Sequence, residues 1–410
     1  MTGVHLLIAI TLALIVAGLT ELALHRRNLR RIPIRIHVNG TRGKSSVTRL
    51  IAAALREAGK ITCAKTTGTL ARMILPDGRE LPIFRPAGAN VIEQKRIVAT
   101  AAAYNAEALV VECMAVQPEL QSLSELRLLR ATHGIITNAR PDHLDVMGPT
   151  PKDVALALAG TTPAKGKLYT AEREQVEPLQ RAARDRGSEF VQVTEEEVAA
   201  VTRKELERFA HTEHADNVAL ALRVCADLGI ERDVALRGMH HCRPDPGALT
   251  EHALDFFGRR IVFFNGFAAN DPVSTHQLWN LALQRTADAE LHIAIFNCRA
   301  DRPDRSIQLG SEFMRWAPAD NVVLMGTGTY VFARAATKAG YDASRLVIVE
   351  ELRTDQIFER IVSLVETSAM VMGMGNVGGQ GLDLARYFAN RAQPRGALVA
   401  APASESNPYA

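Results

Sequence analysis

Asn39, Gly40, Thr41, Arg42, Gly43, Lys44, Ser45 and Ser46 stand between a short alternating stretch (Ile34, Ile36, Val38) and a helical one, KSSVTRLIAAALREAG, that stops at Gly59. Glycines between a strand and a helix let the backbone turn its N–H groups inward. A lysine adds a point charge, and a serine hydroxyl suits a hard cation, so the loop is a cradle for the triphosphate of ATP with Mg²⁺. The strict phosphate-loop spacing calls for glycine five residues before Gly43, where this chain has Val38. A glycine-rich turn without ligand is the competing reading. The coincidence of glycine, lysine and hydroxyl in a strand–loop–helix setting weighs against it.

Two further runs, ALVVEC and HGIITN, read as strands; the first ends at Glu112 and the second at Asn138, opening the loop TNARPDHLD from Thr137 to Asp145. From Ile32 onward strands and helices alternate, the pattern of an α/β fold whose mostly parallel sheet is covered on both faces. Such sheets bind ligands beyond the carboxyl ends of their strands, so the loop, Glu112 and Asn138 should share one rim. There Ser45 and Glu112 are candidate magnesium ligands, and Thr67, in a threonine-rich turn, is a candidate contact to metal or substrate. A Glu112–arginine ion pair is the plainer alternative for that carboxylate.

The elements that position these residues are drawn from 410 residues, 47% hydrophobic and 23% charged, enough for two or three cores. A net charge of +3 argues against a nucleic-acid-binding surface. Five scattered cysteines suit a reducing compartment, and His240, His241 and Cys242 have no matching cluster that would make them a metal cage. Val4 to Leu24 is an apolar run of bilayer-spanning length, followed by Arg26, Arg27, Arg30 and Arg31. With no basic residue ahead of it and no small-residue cleavage site, it reads as a retained anchor that holds the rest of the chain on the cytoplasmic side.

The loop form G-T-x-G-K-[ST] and the signature T-N-x-x-x-D-H-[LM]-D resemble those of the Mur ligase superfamily. The resemblance implies that Glu112 and His143 help hold magnesium, that Lys44, Asn138 and His143 serve the reaction centre, and that Asn217, in HADNVALALRVCADLGI, faces adenine. Helix capping is the local alternative for Asn217. VECMAVQPEL, KTTGTLARMI, DHLDVMGPT, PDPGA, NGFAAND and NCRADRPDR, in that order, are similar to the ligase subunit of poly-γ-glutamate synthase. That likeness implies an ADP-forming ligase that joins glutamate by γ-amide bonds through an acyl phosphate. Glutamate, poly-γ-glutamate and other membrane subunits of the synthase and export complex would be its partners; a homo-oligomer is left open.

The expected organisation is an anchor with basic flank over 1–31, a central ATP-binding domain over 32–245, a smaller α/β domain over 246–391 and a disordered tail over 392–410. In NGFAANDP, similar to a nucleotide-reaching loop of Mur ligases, Asn265 replaces the leading aspartate and Asn270 is the candidate contact. Arg299 and Arg302 are candidates for an anionic amino acid or polymer. MGMGNVGGQG ends the last strand and is read as a turn rather than an NAD site. Many Mur ligases carry a carbamylated lysine after D-H-[LM]-D; the ungapped position here is Leu158, and Gly160 and Pro163 should end the helix before Lys165 and Lys167. Two other functions stay open: a Mur or folylpolyglutamate-type ligase with another acceptor, and a membrane-attached ATPase or kinase serving polymer export.

Overall fold

The computed structural model describes residues 3–68, 70–85, 88–209, 211–245, 249–269 and 272–392. Asn270 and the tail from 393 onward lie outside the described residues. The chain divides into two compact units, Met1–Asp245 and Pro246–Ala410.

The first unit begins with helix α1 (Gly3–Arg31). Its eight strands are β1 (Ile34–Asn39), β2 (Thr62–Thr66), β3 (Arg72–Ile74), β4 (Glu80–Pro82), β5 (Ala108–Glu112), β6 (His133–Ile136), β7 (Lys167–Thr170) and β8 (Glu189–Gln192). They form one sheet in the order β4-β3-β2-β5-β1-β6-β7-β8. The pairs are parallel except β2 with β3 and β3 with β4.

Strand alternation decides what each face receives. Ile36 and Val38 pack with Val47, Leu50 and Ile51 of helix α2 (Lys44–Glu57), in a core shared with helices Ala215–Asp227 and Arg232–His240. The opposite face carries Leu109 and Val111 against helix α3 (Glu93–Ala103) and Leu29 of α1. Further along that face, Ile136 and Leu168 meet Val154, Leu158 and Leu179. Register places Val38 beside Glu112 and Asn39 beside Ile136, which aligns the carboxyl ends of β1, β5 and β6.

Helix α1 is long and apolar enough to cross a membrane by length and composition, with a mean hydropathy of 2.4 in its most apolar window. Its first turns are exposed, while His25 and Leu29 are buried against the rest of the unit.

In the second unit, β9 (Thr250–Phe256), β10 (Arg259–Asn265), β11 (Leu291–Cys298), β12 (Asn321–Gly326), β13 (Leu346–Ile348) and β14 (Ser368–Met374) form a sheet in the order β13-β12-β11-β14-β10-β9. Only β9 is antiparallel, joined to β10 by Phe257 and Gly258, both at positive φ. β9, TEHALDF, is a mostly half-buried edge strand in which Glu251, His252 and Asp255 break up any apolar run. The MGMGNVGGQG run ends β14, turns, and continues as the helix Gln380–Ala389.

One face of this sheet buries Trp279, Phe296, Phe313 and Phe332; the other buries Phe263, Phe358 and Phe388. Trp279 is fully buried and its indole N–H donates to the Ala317 carbonyl at 2.9 Å. Trp279→Ala is expected to cost the second unit about 3–5 kcal/mol. Urea unfolding followed by the fluorescence of the remaining Trp316 measures this; a loss below about 1 kcal/mol would show that the site collapses without a cavity.

Candidate functional site

The loop after β1 is shaped by two glycines that no side-chain-bearing residue replaces cheaply. Gly40 has φ 130° and Gly43 has φ 82°. A Cβ on Gly40 would lie 2.0 Å from the Thr137 hydroxyl, and one on Gly43 would lie 2.6 Å from Asn217 Oδ1. Gly43 is also the N-cap of α2 and supplies no side-chain cap. The first N–H groups of a helix have no intrahelical partner, so this end offers donors and a partial positive charge to an anion. Lys44 Nζ stands at the same mouth, bonded to the carbonyls of Gly40 (2.6 Å) and Thr41 (3.1 Å).

Beside the loop, Glu112 is 2% exposed at the end of β5. Its Oε2 accepts from the Ser45 hydroxyl at 2.9 Å and from the Thr67 N–H at 2.7 Å. Burial drives its pKa up and the Asp245 carboxylate adds to this; Lys44 and the two hydrogen bonds oppose it without winning. Gly68 continues the wall, where a Cβ would lie 2.7 Å from Ser45 Oγ and 3.6 Å from Asp245 Oδ2. The donors Ser45 and Glu112 are hard oxygens at 2.9 Å, one of them a buried carboxylate with no salt bridge among the described residues, and this fits magnesium.

The loop is braced by the segment after β6. Asn138 Oδ1 accepts from the Thr41 hydroxyl (2.6 Å) and the Arg42 N–H (3.1 Å), while its Nδ2 donates to the Arg42 carbonyl (3.1 Å). Thr137 donates to the same carbonyl at 2.6 Å. Asn138 thus positions the phosphate loop, a job that the sequence pattern alone did not assign to it.

The other expected site residues lie around this loop in distinct settings. Asn39, expected at the nucleotide, points to the sheet face opposite α2, because it alternates with Val38. There its amide donates to Gln121 (2.8 Å) and Thr161 (3.2 Å), and the residue is buried. Asn217 does not cap its helix; the N-cap is His214, without a side-chain bond. Asn217 instead packs on Gly43 and donates to Glu213 at 2.8 Å. Burial works against the Glu213 carboxylate, but bonds from His211, Asn217 and the His214 N–H keep its pKa low.

His143 sits at φ 46° with a half-exposed side chain, 3.9 Å from Asp142. Among the described residues, no three His, Cys, Asp or Glu side chains gather into a metal cage, so the structure does not bring His143 together with Glu112 as a ready-made pair of ligands with a third. Ser46 is half-buried in the first turn of α2. Leu158, at the carbamate position, is fully buried at the end of its helix, and a 3₁₀ turn over Ala159–Thr161 separates it from Lys165.

In the second unit, Arg299 is occupied by Asp301 at 2.7 and 2.9 Å, and Arg302 is exposed at the start of the helix Pro303–Glu312. The signals missed in sequence are Glu213, Asp245 and Arg49. Arg49, 2% exposed, grips Glu80 at 2.5 and 3.1 Å and lies 3.8 Å from Asp245, tying α2 to β4. Only the fold reveals that Arg49 meets Glu80 and Asp245.

Residues 38–241 match the Mur ligase middle domain family, and residues 251–391 match the poly-gamma-glutamate synthase CapB C-terminal domain. The chain is 38% identical to the capsule biosynthesis protein CapB of Bacillus anthracis, covering 90% of this chain and 79% of that one. It is 37% identical to the PGA synthase CapB of Bacillus subtilis (strain 168), covering 91% and 95%. Among solved structures it resembles E. coli FolC in complex with DHPP and ADP, with a TM-score of 0.65 at 15% identity over 90% of this chain and 93% of that one. The Mycobacterium tuberculosis folylpolyglutamate synthase complexed with ADP gives 0.64 at 18% identity over 92% and 95%. These structural likenesses establish the fold.

The raised pKa of Glu112 means that the metal-free folded chain holds this proton more tightly than the unfolded chain. Its stabilising contribution is therefore complete below the ordinary carboxylate pKa and is lost as pH rises through the folded value. Glu112→Gln, which keeps an oxygen acceptor for Ser45 and Thr67, should unfold at a higher temperature than the parent chain at neutral pH in chelator, with the gap closing toward pH 4. Melting curves across that range measure it; a variant less stable than the parent at neutral pH would contradict this electrostatic account.

Proposed function

The chain belongs to the CapB family of poly-γ-glutamate synthases, within the Mur ligase fold, and from that membership we propose how its residues carry out ATP-dependent amide ligation. The observation that carries the reading is the uncapped N-terminus of α2, with Gly40, Gly43 and Lys44 converging on the same mouth beside Ser45 and Glu112.

ATP lays its phosphates along the loop, where α2's free N–H groups and Lys44 offset their charge. A carboxylate of glutamate, or of the growing chain, attacks the γ-phosphorus. The bond to the β-bridging oxygen breaks, ADP leaves, and an acyl phosphate remains. A glutamate amine then attacks the acyl carbon; phosphate departs and the nitrogen loses a proton, leaving the γ-amide. No protein nucleophile is required. The chain's residues contribute by position and charge, which is how phosphoryl transfer gains most of its rate.

Ser45 and Glu112 would hold magnesium, which supplies charge neutralisation at the phosphates and fixes their orientation. The buried Glu112 carboxylate gains most from such a cation, since its ionised form lacks solvation. His143 is proposed as a further ligand from the rim loop, with water completing its shell. Asn138 acts by holding Thr41 and Arg42, and Asn217 acts by packing on Gly43. Asn39 supports the loop from below rather than contacting nucleotide. Asn270, Thr67, Arg299 and Arg302 are proposed contacts to nucleotide or glutamate.

Helix α1 is proposed as a single-pass anchor, with Arg26, Arg27, Arg30 and Arg31 keeping the ligase on the cytoplasmic side, beside the other membrane subunits of synthesis and export.

Lys44→Ala should fold normally, since Lys44 is a loop-mouth residue outside the cores, yet lose about a hundredfold or more of turnover. The measurement is glutamate-dependent ADP release together with amide product, in membranes containing the partner subunits. Full turnover in a folded variant would remove the loop from the reaction, and ADP release without amide would favour an ATPase that drives export.

Deleting residues 1–24 leaves His25 and Leu29 to dock as before. The truncated chain should be soluble, retain ATP turnover and make little polymer in cells. Undiminished polymer yield would show that the anchor has no part in synthesis.

A further inference from the structure

The apolar run of α1 ends at Leu24, but the helix does not. Two more turns are docked on the first unit: His25 Nε2 bonds to the Leu128 carbonyl at 2.9 Å, Leu29 is in the core, and Arg31 donates to Asn105 at 2.7 Å. Lys95 reaches across to Glu21 at 2.8 Å. At 1.5 Å per residue, Val4 to Leu24 spans roughly 31 Å, the thickness of the bilayer's hydrocarbon layer. Given the anchor proposed above, the docked turns lie at headgroup depth.

At that level the first unit has a cavity of about 550 Å³ lined by Arg26, Arg30, Arg35, Arg130, Lys165 and Glu125, among others. It lies at the amino ends of β1 and β6, away from the phosphate loop at their carboxyl ends. Five cations and one carboxylate face it. Glu125 is already neutralised: it holds the buried His37 at 2.8 Å and accepts from the Ala131 N–H at 2.8 Å. Burial disfavours the His37 imidazolium, but hydrogen bonds to Cys113 and Glu125 prevail and raise its pKa to about 9.

Arg35 is committed to the carbonyls of Leu29, Ile32, Leu129 and Arg130. The side chains of Arg26, Arg30, Arg130 and Lys165 have no hydrogen bond or ion pair among the described residues, so like charges crowd one concave surface without a counterion.

We propose that this cavity binds the phosphate headgroup of an acidic phospholipid from the cytoplasmic leaflet. Arg26 and Arg30 present it within two turns of the hydrocarbon boundary, where basic pockets beside a membrane helix take anionic headgroups. Leu126, on the cavity wall, is 42% exposed, and Leu22 and Leu24 are exposed on α1, giving the acyl chains an apolar path along the helix. A soluble anion, or the polymer itself, has no use for that apolar path.

The test reconstitutes the full chain into nanodiscs of phosphatidylcholine alone, or with phosphatidylglycerol, and reads retained lipid by native mass spectrometry. Arg130→Asn with Lys165→Asn alters the cavity without touching α1; both positions have positive φ (49° and 58°), which asparagine tolerates. Parent and variant should enter neutral nanodiscs equally, while preference for phosphatidylglycerol falls about twenty-five-fold in the variant, roughly fivefold for each cation removed. Equal preference in both chains would overturn the proposal. So would phosphate or a soluble γ-glutamate oligomer binding the parent in lipid-free detergent and being lost in the variant, the second result assigning the cavity to polymer. Failure of the parent to enter any nanodisc would instead sink the anchor, and the lipid site with it.

Discussion

The carboxylate of Glu112 is buried at the end of β5, where burial favours its protonated form, yet it is held by two donors and faced by Lys44 across the phosphate loop. Removing an ion from water costs several kcal/mol, about the size of a domain's whole stability. Such a group is tolerable where a cation restores the balance. The neighbouring geometry follows from this constraint. Ser45 must stand in the first turn of α2 to put its hydroxyl on Oε2, Gly68 must lack a Cβ to leave Ser45 room, and β5 must run beside β1 in the register that sets Val38 against Glu112. The site is thus a property of sheet register as much as of the motif.

What was legible in sequence was local. Lys44, Ser45 and the two glycines announce themselves because their chemistry needs only a strand, a turn and a helix start, all written within a dozen residues. Glu112 was legible because a carboxylate closing an apolar strand is unusual and strand ends share a rim. Asn39 was misplaced for the same reason that β1 was recognised: the alternation that buries Ile36 and Val38 under α2 sends Asn39 to the other face, where Gln121 and Thr161 satisfy it. Arg49 and Asp245 could not be read from neighbours in sequence, since Arg49 meets Glu80 and Asp245 from far along the chain, and although Asn217 and Glu213 are near neighbours, the packing of Asn217 on Gly43 is equally remote.

In the second unit the parallel strands β10, β11, β12 and β14 are rich in apolar residues, whereas the edge strand β9 is not. An edge strand pairs on one side only and tolerates polar residues, so its composition resembles that of a loop. The glycines of GNVGG serve the turn between β14 and its following helix: Gly375 at φ 99° lies close to the Asn297 backbone, and Asn376 and Asn297 bond to each other's carbonyls. A glycine pattern that suggests a dinucleotide site is here explained by two buried asparagines that fasten β11 to β14.

The two ends of the first sheet have opposite tasks. The loop of Gly40 to Ser45, Glu112 and Asn138 gather at the carboxyl ends of β1, β5 and β6, whereas α1 docks near the amino ends of β1 and β6, by way of Leu128, Leu129 and Arg35. Six residues of β1 separate those ends by about 20 Å. The phosphate loop and the docked turns of α1 therefore lie at opposite ends of the same strands. Docking of His25 and Leu29 joins the end of α1 to the body of the first unit, so the helix leaves it along a direction fixed by packing rather than through a loose linker.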